Sequence, residues 1–263
     1  MTAQPTMQGS LLTQSWVLAG QLLTRWRRDR AVLMGSLLFP VCLMLVYHVV
    51  LGEQVRKVTG VDSLYGLVPI SAVLSALFGS MGNAVSITID RQSGLLSRMW
   101  VLPIHRSSAV TGRLTAEAMR ALIGTVSITV LGLAMGMRFA HGWLAALAFI
   151  LVPSVVVLGF TALVMALAIR ANARTVMTWL VGIIVSLAFV NPGTTPIGLF
   201  PDWLRPFVRV QPMSPPVETM RALAYGGPLL WPLTLTLMWA IGLLAIFTPI
   251  ALRGYRKAAE SRE

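Results

Sequence analysis

The sequence predicts an all-α polytopic membrane protein with six transmembrane helices. Three observations carry that prediction. Of 263 residues, 56% are hydrophobic and only 11% charged, against about 25% charged in a soluble domain, so there is too little polar surface to cover a core in water. Six apolar runs are each long enough to cross roughly 30 Å of hydrocarbon, which takes about 20 residues. The net charge of +12 would suggest a nucleic-acid partner in a soluble protein. Here it gathers at the ends and in the gaps between apolar runs, as membrane topology requires, and no nucleic acid is expected.

The first element is an N-terminal cytoplasmic helix within residues 1–30. In Ser10–Trp26, Leu11, Leu12, Trp16, Ala19, Leu22, Leu23 and Trp26 recur at three- and four-residue steps, the period of one helix face. An apolar stripe bearing Trp16 and Trp26 and ending in Arg25, Arg27 and Arg28 suits a helix lying along the inner membrane surface; the alternative is a polar tail leading to the first span. The cluster Arg25–Arg30 precedes a 22-residue apolar run. That order suits a retained first span, and no cleavable signal peptide is expected.

The transmembrane domain occupies residues 31–263, with spans expected over 31–52, 64–89, 114–137, 143–169, 176–199 and 229–252. Pro153 predicts a kink in the fourth, where neighbouring helices can satisfy the freed carbonyl. The fifth is expected to end at Asn191–Gly193 or slightly beyond, because Pro192 and Gly193 break helices. With the N-terminus inside, the flanks and connections on the inner side hold fourteen arginines and lysines against six outside. This bias places both termini in the cytoplasm and requires an even number of spans.

Two further segments are amphipathic without being spans. On the inner side, Asp90–Ser108 reads DRQSGLLSRMWVLPIHRSS. Leu95, Met99 and Leu102 form a stripe with Leu96 and Trp100 beside it, while Arg91 and Arg98 face elsewhere. Asp90 is placed to cap the helix start and Pro103 follows its end. Such a helix suits docking into a groove on another protein, or else forms a loop whose leucines rest on the lipid interface. On the outer side, Gly198–Pro228 is rich in proline and apolar residues. Pro201–Val210 reads as one half-helix. Ser214–Gly227 reads as a second, with Ser214 as cap, proline following, Glu218 and Arg221 within it, and glycines as the stop. Trp203, Phe207 and Tyr225 suit the membrane–water boundary, and with Pro212 between the two pieces the segment predicts a re-entrant helical pair; a plain surface loop is the alternative.

Glu117 and Arg120 are the one clear charged pair inside a span, three residues apart on one face. They either line a route between subunits or tie their helix to the stretch Asp90–Ser108, or form an ion pair near the interface with Arg120 snorkelling. Gly132–Gly136 matches a small-xxx-small pattern. The single cysteine, Cys42, cannot form an internal disulfide, and His48, His105 and His141 are far apart, so no metal site is expected. The sequence carries no Walker-type phosphate loop, zincin motif or nucleophile elbow; no enzyme activity and no cofactor are expected in this chain.

The order of these parts resembles the membrane subunit of an ABC-2 type exporter. Leu22–Leu45, Asp90–Ser108 and Phe200–Pro228 carry the likeness. More narrowly, it resembles the daunorubicin-resistance permease family, with the closer likeness to mycobacterial members associated with envelope-lipid export. The resemblance implies that residues 90–102 are a coupling helix, the lever through which a separate ATPase acts. Members often carry glutamate–arginine before glycine–threonine there; this chain has Asp90–Arg91 and Gly94–Leu95. It further implies two copies of an ABC ATPase subunit that bind ATP and magnesium, a second permease, identical or homologous, and a hydrophobic cargo, either an envelope lipid or a lipophilic drug, moved across the plasma membrane among membrane lipids. The reading that competes with this is a secondary transporter or channel working without an ATPase.

Overall fold

The computed structural model describes residues 11–28, 38–60, 62–92 and 108–260. These form helices α1 (Leu11–Arg28), α2 (Phe39–Thr59), α3 (Leu64–Ser80), α4 (Gly82–Gln92), α5 (Ser108–Ala134), α6 (Gly142–Ala168), α7 (Ala173–Phe189), α8 (Arg205–Val210), α9 (Ser214–Tyr225) and α10 (Leu230–Glu260). There is no β-strand among the described residues.

Among the described residues, four stretches are long and apolar enough to cross a membrane: Leu64–Asp90, Val110–Ala134, Gly142–Ala168 and Leu230–Tyr255. They correspond to the expected second, third, fourth and sixth spans. The other two differ from expectation. Residues 31–37 lie outside the described residues, and α2 continues past the apolar run to Thr59, because Glu53, Arg56 and Lys57 are strong helix formers. The fifth helix stops at Phe189, short of 199 and just before the break expected at Asn191–Gly193. Asn191 starts a tight turn there, its carbonyl accepting from the N–H groups of Thr194 and Thr195 at 3.1 Å each, with Pro192 unable to donate.

Helix α6 is apolar on nearly all sides and is continuous through Pro153, so it sits at the centre, packed by α3, α4, α5, α9 and α10. Its closest neighbour is α10. A Cβ on Gly159 would lie 2.7 Å from the carbonyl oxygen of Ala240, so only glycine permits this approach. In hydrocarbon there is no hydrophobic gain from bringing helices together, and close van der Waals packing of this kind is what holds them. Gly132 does the same for α5 against α3, where a Cβ would lie 2.7 Å from Val68. Gly136, the other half of the small-xxx-small pattern, lies beyond the helix at positive φ and meets nothing, so the pattern acts through Gly132 alone.

The bundle has two distinct ends. At one, Asp90, Arg113 and Tyr255 meet, and Gly254 packs on Ile169. At the other, Tyr65 Oη donates to the carbonyl of Arg138 at 3.1 Å and its ring lies 5.0 Å from that of Tyr225. Helix α1 packs on α5, with Ala19 buried and Trp16 exposed.

Candidate functional site

A buried polar seam runs along the Asp90 end. On α4, Asn83, Ser86 and Asp90 recur at three- and four-residue steps and so share a face. On α5, Arg113, Glu117 and Arg120 do the same. The two stripes face each other. Arg113 Nη2 donates to Asp90 Oδ2, while its Nη1 reaches Ser86 Oγ at 3.4 Å and Asn83 Oδ1 at 3.5 Å. Only 8% of each side chain of the ion pair is exposed. An isolated charge so enclosed would cost several kcal/mol; pairing offsets that cost and makes the geometry obligatory. Tyr255 of α10 is buried beside Arg113, so three helices converge here.

The second pair is Arg120 with Glu117, at 2.7 Å through Nε and 2.6 Å through Nη2. Arg120 does not snorkel. It is 4% exposed and turns inward, where Nη2 donates to the carbonyl of Ala76 at 3.0 Å. Its guanidinium fills the space that the missing side chain of Gly79 leaves open. The reason is a break between α3 and α4. At Met81 the backbone N–H donates to Phe78 O at 3.2 Å, one residue nearer than in a regular helix. Leu77 O then accepts from Ser80 Oγ at 2.9 Å. Arg120 thus clamps the turn preceding the break.

The helix that Asp90 is expected to cap falls on residues outside those described. Asp90 itself lies in the last turn of α4, buried against Arg113. Arg91 is in the same turn; its side chain, and the residues Gly94, Leu95, Leu96, Arg98, Met99, Trp100, Leu102 and Pro103, lie outside the described residues. So do the side chains of Arg25, Trp26, Arg27 and Arg28, whose backbone is helical. Asp90 and Arg113 therefore flank the undescribed segment 93–107 at its entry and exit.

At the Tyr65 end, α8 is shorter than the expected half-helix and starts at Arg205, with Pro206 in its first turn. Trp203 and Phe207 are exposed. Ser214 is the first helical residue of α9 and does not cap it; its Oγ accepts from Gln211 Nε2 at 2.8 Å. Gly226, at positive φ, stops α9 as expected. Burial pushes the Glu218 carboxyl above its usual range, against the opposing pull of Arg209 and Arg221. Gln211, which sequence reasoning missed, also donates to the carbonyls of Val190 and Leu187, the latter at 3.3 Å, and so terminates α7.

Helix α7 is thinly packed, with a cavity on either flank. One, of about 190 Å³, lies between α2, α3 and α7 and is lined by Tyr47, Leu74, Phe78 and Phe189 among others. The other, of about 220 Å³, lies between α6, α7 and α10, with Phe160, Leu180, Leu187 and Trp239 in its wall and Pro212 and Met213 at one end. Both are lined mainly by hydrocarbon.

Comparison with known proteins decides what this bundle is. The pattern of the ABC-2 type transporter family matches residues 13–225. The chain belongs to the ABC-2 type transporter family. Among its relatives is the probable doxorubicin resistance ABC transporter permease protein DrrC of Mycobacterium tuberculosis, 36% identical over 250 residues, or 94% of this chain and 90% of the relative. The daunorubicin resistance ABC transporter permease protein DrrB1 of Streptomyces coeruleorubidus is 24% identical over 262 residues, or 97% of this chain and 88% of the relative. As a multi-pass ABC-2 membrane protein it is the permease component of a transporter whose ATPase is a separate subunit. The family match runs across the paired stripes of α4 and α5, the segment between them and the cavity between α2, α3 and α7, and ends before α10.

Proposed function

We propose that this permease is the membrane half of an ATP-driven exporter that carries a hydrophobic, amphipathic cargo, an envelope lipid or a lipophilic drug, out across the plasma membrane. Helices α2 and α7 complete a six-span bundle, both termini are cytoplasmic, and the Asp90 end faces the cytoplasm. Helix α1 lies along the inner surface, and α8 and α9 form a re-entrant pair at the outer end. Two ABC ATPase subunits holding ATP and magnesium dock beneath a pair of permeases, identical or homologous.

The observation that carries this reading is the Asp90–Arg113 pair. The segment expected to dock on the ATPase leaves α4 just after Asp90 and returns to α5 just before Arg113. A buried ion pair clasps its two roots. A push on that segment is then passed to α4 and α5 together instead of being absorbed by bending one root. Tyr255 extends the contact to α10, and Arg120 extends it to the α3–α4 break. ATP drives transport only by favouring one of two arrangements of the bundle over the other, and the clasped helices provide the link that transmits that preference. The cargo class is supported by the apolar lining of the cavity between α2, α3 and α7 and by the drug-resistance names of the relatives.

The test is Leu96→Asp combined with Trp100→Asp. The expected result is a permease that still inserts in the membrane but whose complex loses cargo-stimulated ATP hydrolysis. Stimulation equal to that of the unmodified protein contradicts the docking role.

A further inference from the structure

We infer that the cavity between α6, α7 and α10 is a binding site for the hydrocarbon chain of a bilayer lipid, which enters sideways between α7 and α10 and stays there as a fixed component of the bundle. The cavity volume is about 220 Å³. Apolar cavities of roughly 150 Å³ already stay free of water and take up small hydrocarbons.

Its boundaries select the direction of entry. Pro212 and Met213 close it towards the Tyr65 end. Towards the Asp90 end, α4 packs on both α6 and α7, which closes that side among the described residues. The remaining side lies between α7 and α10. These two helices form opposite walls through Leu180, Ile184 and Leu187 on one and Thr236, Ala240 and Leu243 on the other, yet they are not a packed pair. The outward-facing residues beside the gap are apolar and exposed, Ile183 at 52% and Met238 at 67%. A membrane helix with this surface faces lipid, so the gap opens into hydrocarbon.

The polar groups in the wall select the ligand's chemistry. Thr236 Oγ1 donates to Pro232 O at 2.8 Å, and the indole N–H of Trp239 donates to Val210 O at 2.8 Å. Neither donor is left to hold a headgroup. The pocket recognises methylenes, and its closure at both ends by described residues suits a resident chain instead of cargo in transit. Filling the space supports α7, which has few other contacts on that flank. The half of the bilayer involved is the outer one under the orientation proposed above; the cavity and its gap do not depend on that orientation.

The experiment uses the full-length permease in nanodiscs of phosphatidylglycerol and phosphatidylethanolamine. The phosphatidylglycerol carries a diazirine midway along one acyl chain. After irradiation, mass spectrometry maps the labelled residues. The expected result is strong labelling of the cavity faces of α7 and α10. It falls about tenfold or more in the filled variant Leu180→Phe with Leu187→Phe, as expected when several methylenes lose their apolar burial, while labelling at exposed Leu230 is unchanged. Thr236→Leu, which fills the space from the opposite wall, gives the same loss if the first variant does not fold. Labelling that stays even over all lipid-facing residues, or that is unaffected by filling, overturns the inference. Disulfide cross-linking between copies that carry Ile183→Cys and Met238→Cys in a Cys42→Ala background also overturns it, because the gap would then face a second permease. No ATPase or nucleotide is needed, so failure of the exporter reading leaves this result interpretable on its own.

Discussion

Removing either partner of the Asp90–Arg113 pair should damage the permease far more than removing both. Each side chain is 8% exposed, and no solvent is available to take up an abandoned charge. Breaking a buried pair from one side costs about 3–5 kcal/mol, whereas replacing both partners with apolar residues of similar volume is neutral or stabilising. Arg113→Met is therefore expected to lower the unfolding midpoint in nanodiscs by about 6–20 °C, at roughly 2–4 °C per kcal/mol for a chain of this size. Asp90→Leu is expected to do the same, and the double variant Asp90→Leu with Arg113→Met to return near the starting value. The mechanical role predicts a different pattern for function. The double variant, though folded, exchanges an ionic clasp of fixed geometry for non-directional contact, so cargo-stimulated ATPase activity of the complex should remain impaired. A cycle in which the two single costs simply add refutes the buried pair. A folded double variant with full stimulation refutes the clasp as the transmitting element.

Further outcomes follow from the same geometry. Gly79→Ala places a methyl where the Arg120 guanidinium sits and should cost about 1–3 kcal/mol by displacing a buried Arg120 donor from the Ala76 carbonyl; in an Arg120→Met background the thermal shift on adding Gly79→Ala should largely vanish. With Cys42→Ala as background, Trp203→Cys should react with an impermeant thiol reagent on intact cells and Arg98→Cys only after permeabilisation; the reverse pattern would invert the orientation. Gln211→Leu removes the donor that the carbonyls of Leu187 and Val190 share and should speed amide exchange at the end of α7 while leaving α6 unchanged.

How much of this is legible in the sequence differs from element to element for physical reasons. Helix α6 is expected over 143–169 and found at Gly142–Ala168, because its apolar run is bounded at both ends by polar residues. The fifth span is expected over 176–199 with its helix ending at Asn191–Gly193 or slightly beyond, and α7 stops at Phe189, just before that break. The chain stays apolar past that point, and hydropathy does not distinguish a helix from an apolar turn; the proline and glycine after Asn191 carry the signal. The α3–α4 break has only Gly79 and Gly82 to announce it, and its stabilising partner, Arg120, is far along the chain. Glu117 and Arg120 are marked by their spacing, but the inward turn of Arg120 depends on the gap at Gly79. Asp90 looks like a cap because its partner Arg113 lies 23 residues away. The usable clue is that Asn83, Ser86 and Asp90 repeat on one face opposite an equally spaced stripe on α5. The cavities beside α7 leave no sequence signature, since leucines that line a space look the same as leucines that fill one.

Cargo movement by purified components tests the central claim most directly. The permease is reconstituted in liposomes with its cognate ATPase, doxorubicin is supplied as the lipophilic probe, and its transfer is followed by fluorescence with ATP and with a non-hydrolysable analogue. The account predicts transfer only when permease, ATPase and hydrolysable ATP are all present. Transfer by the permease alone, driven by nothing but an ion gradient, would contradict it.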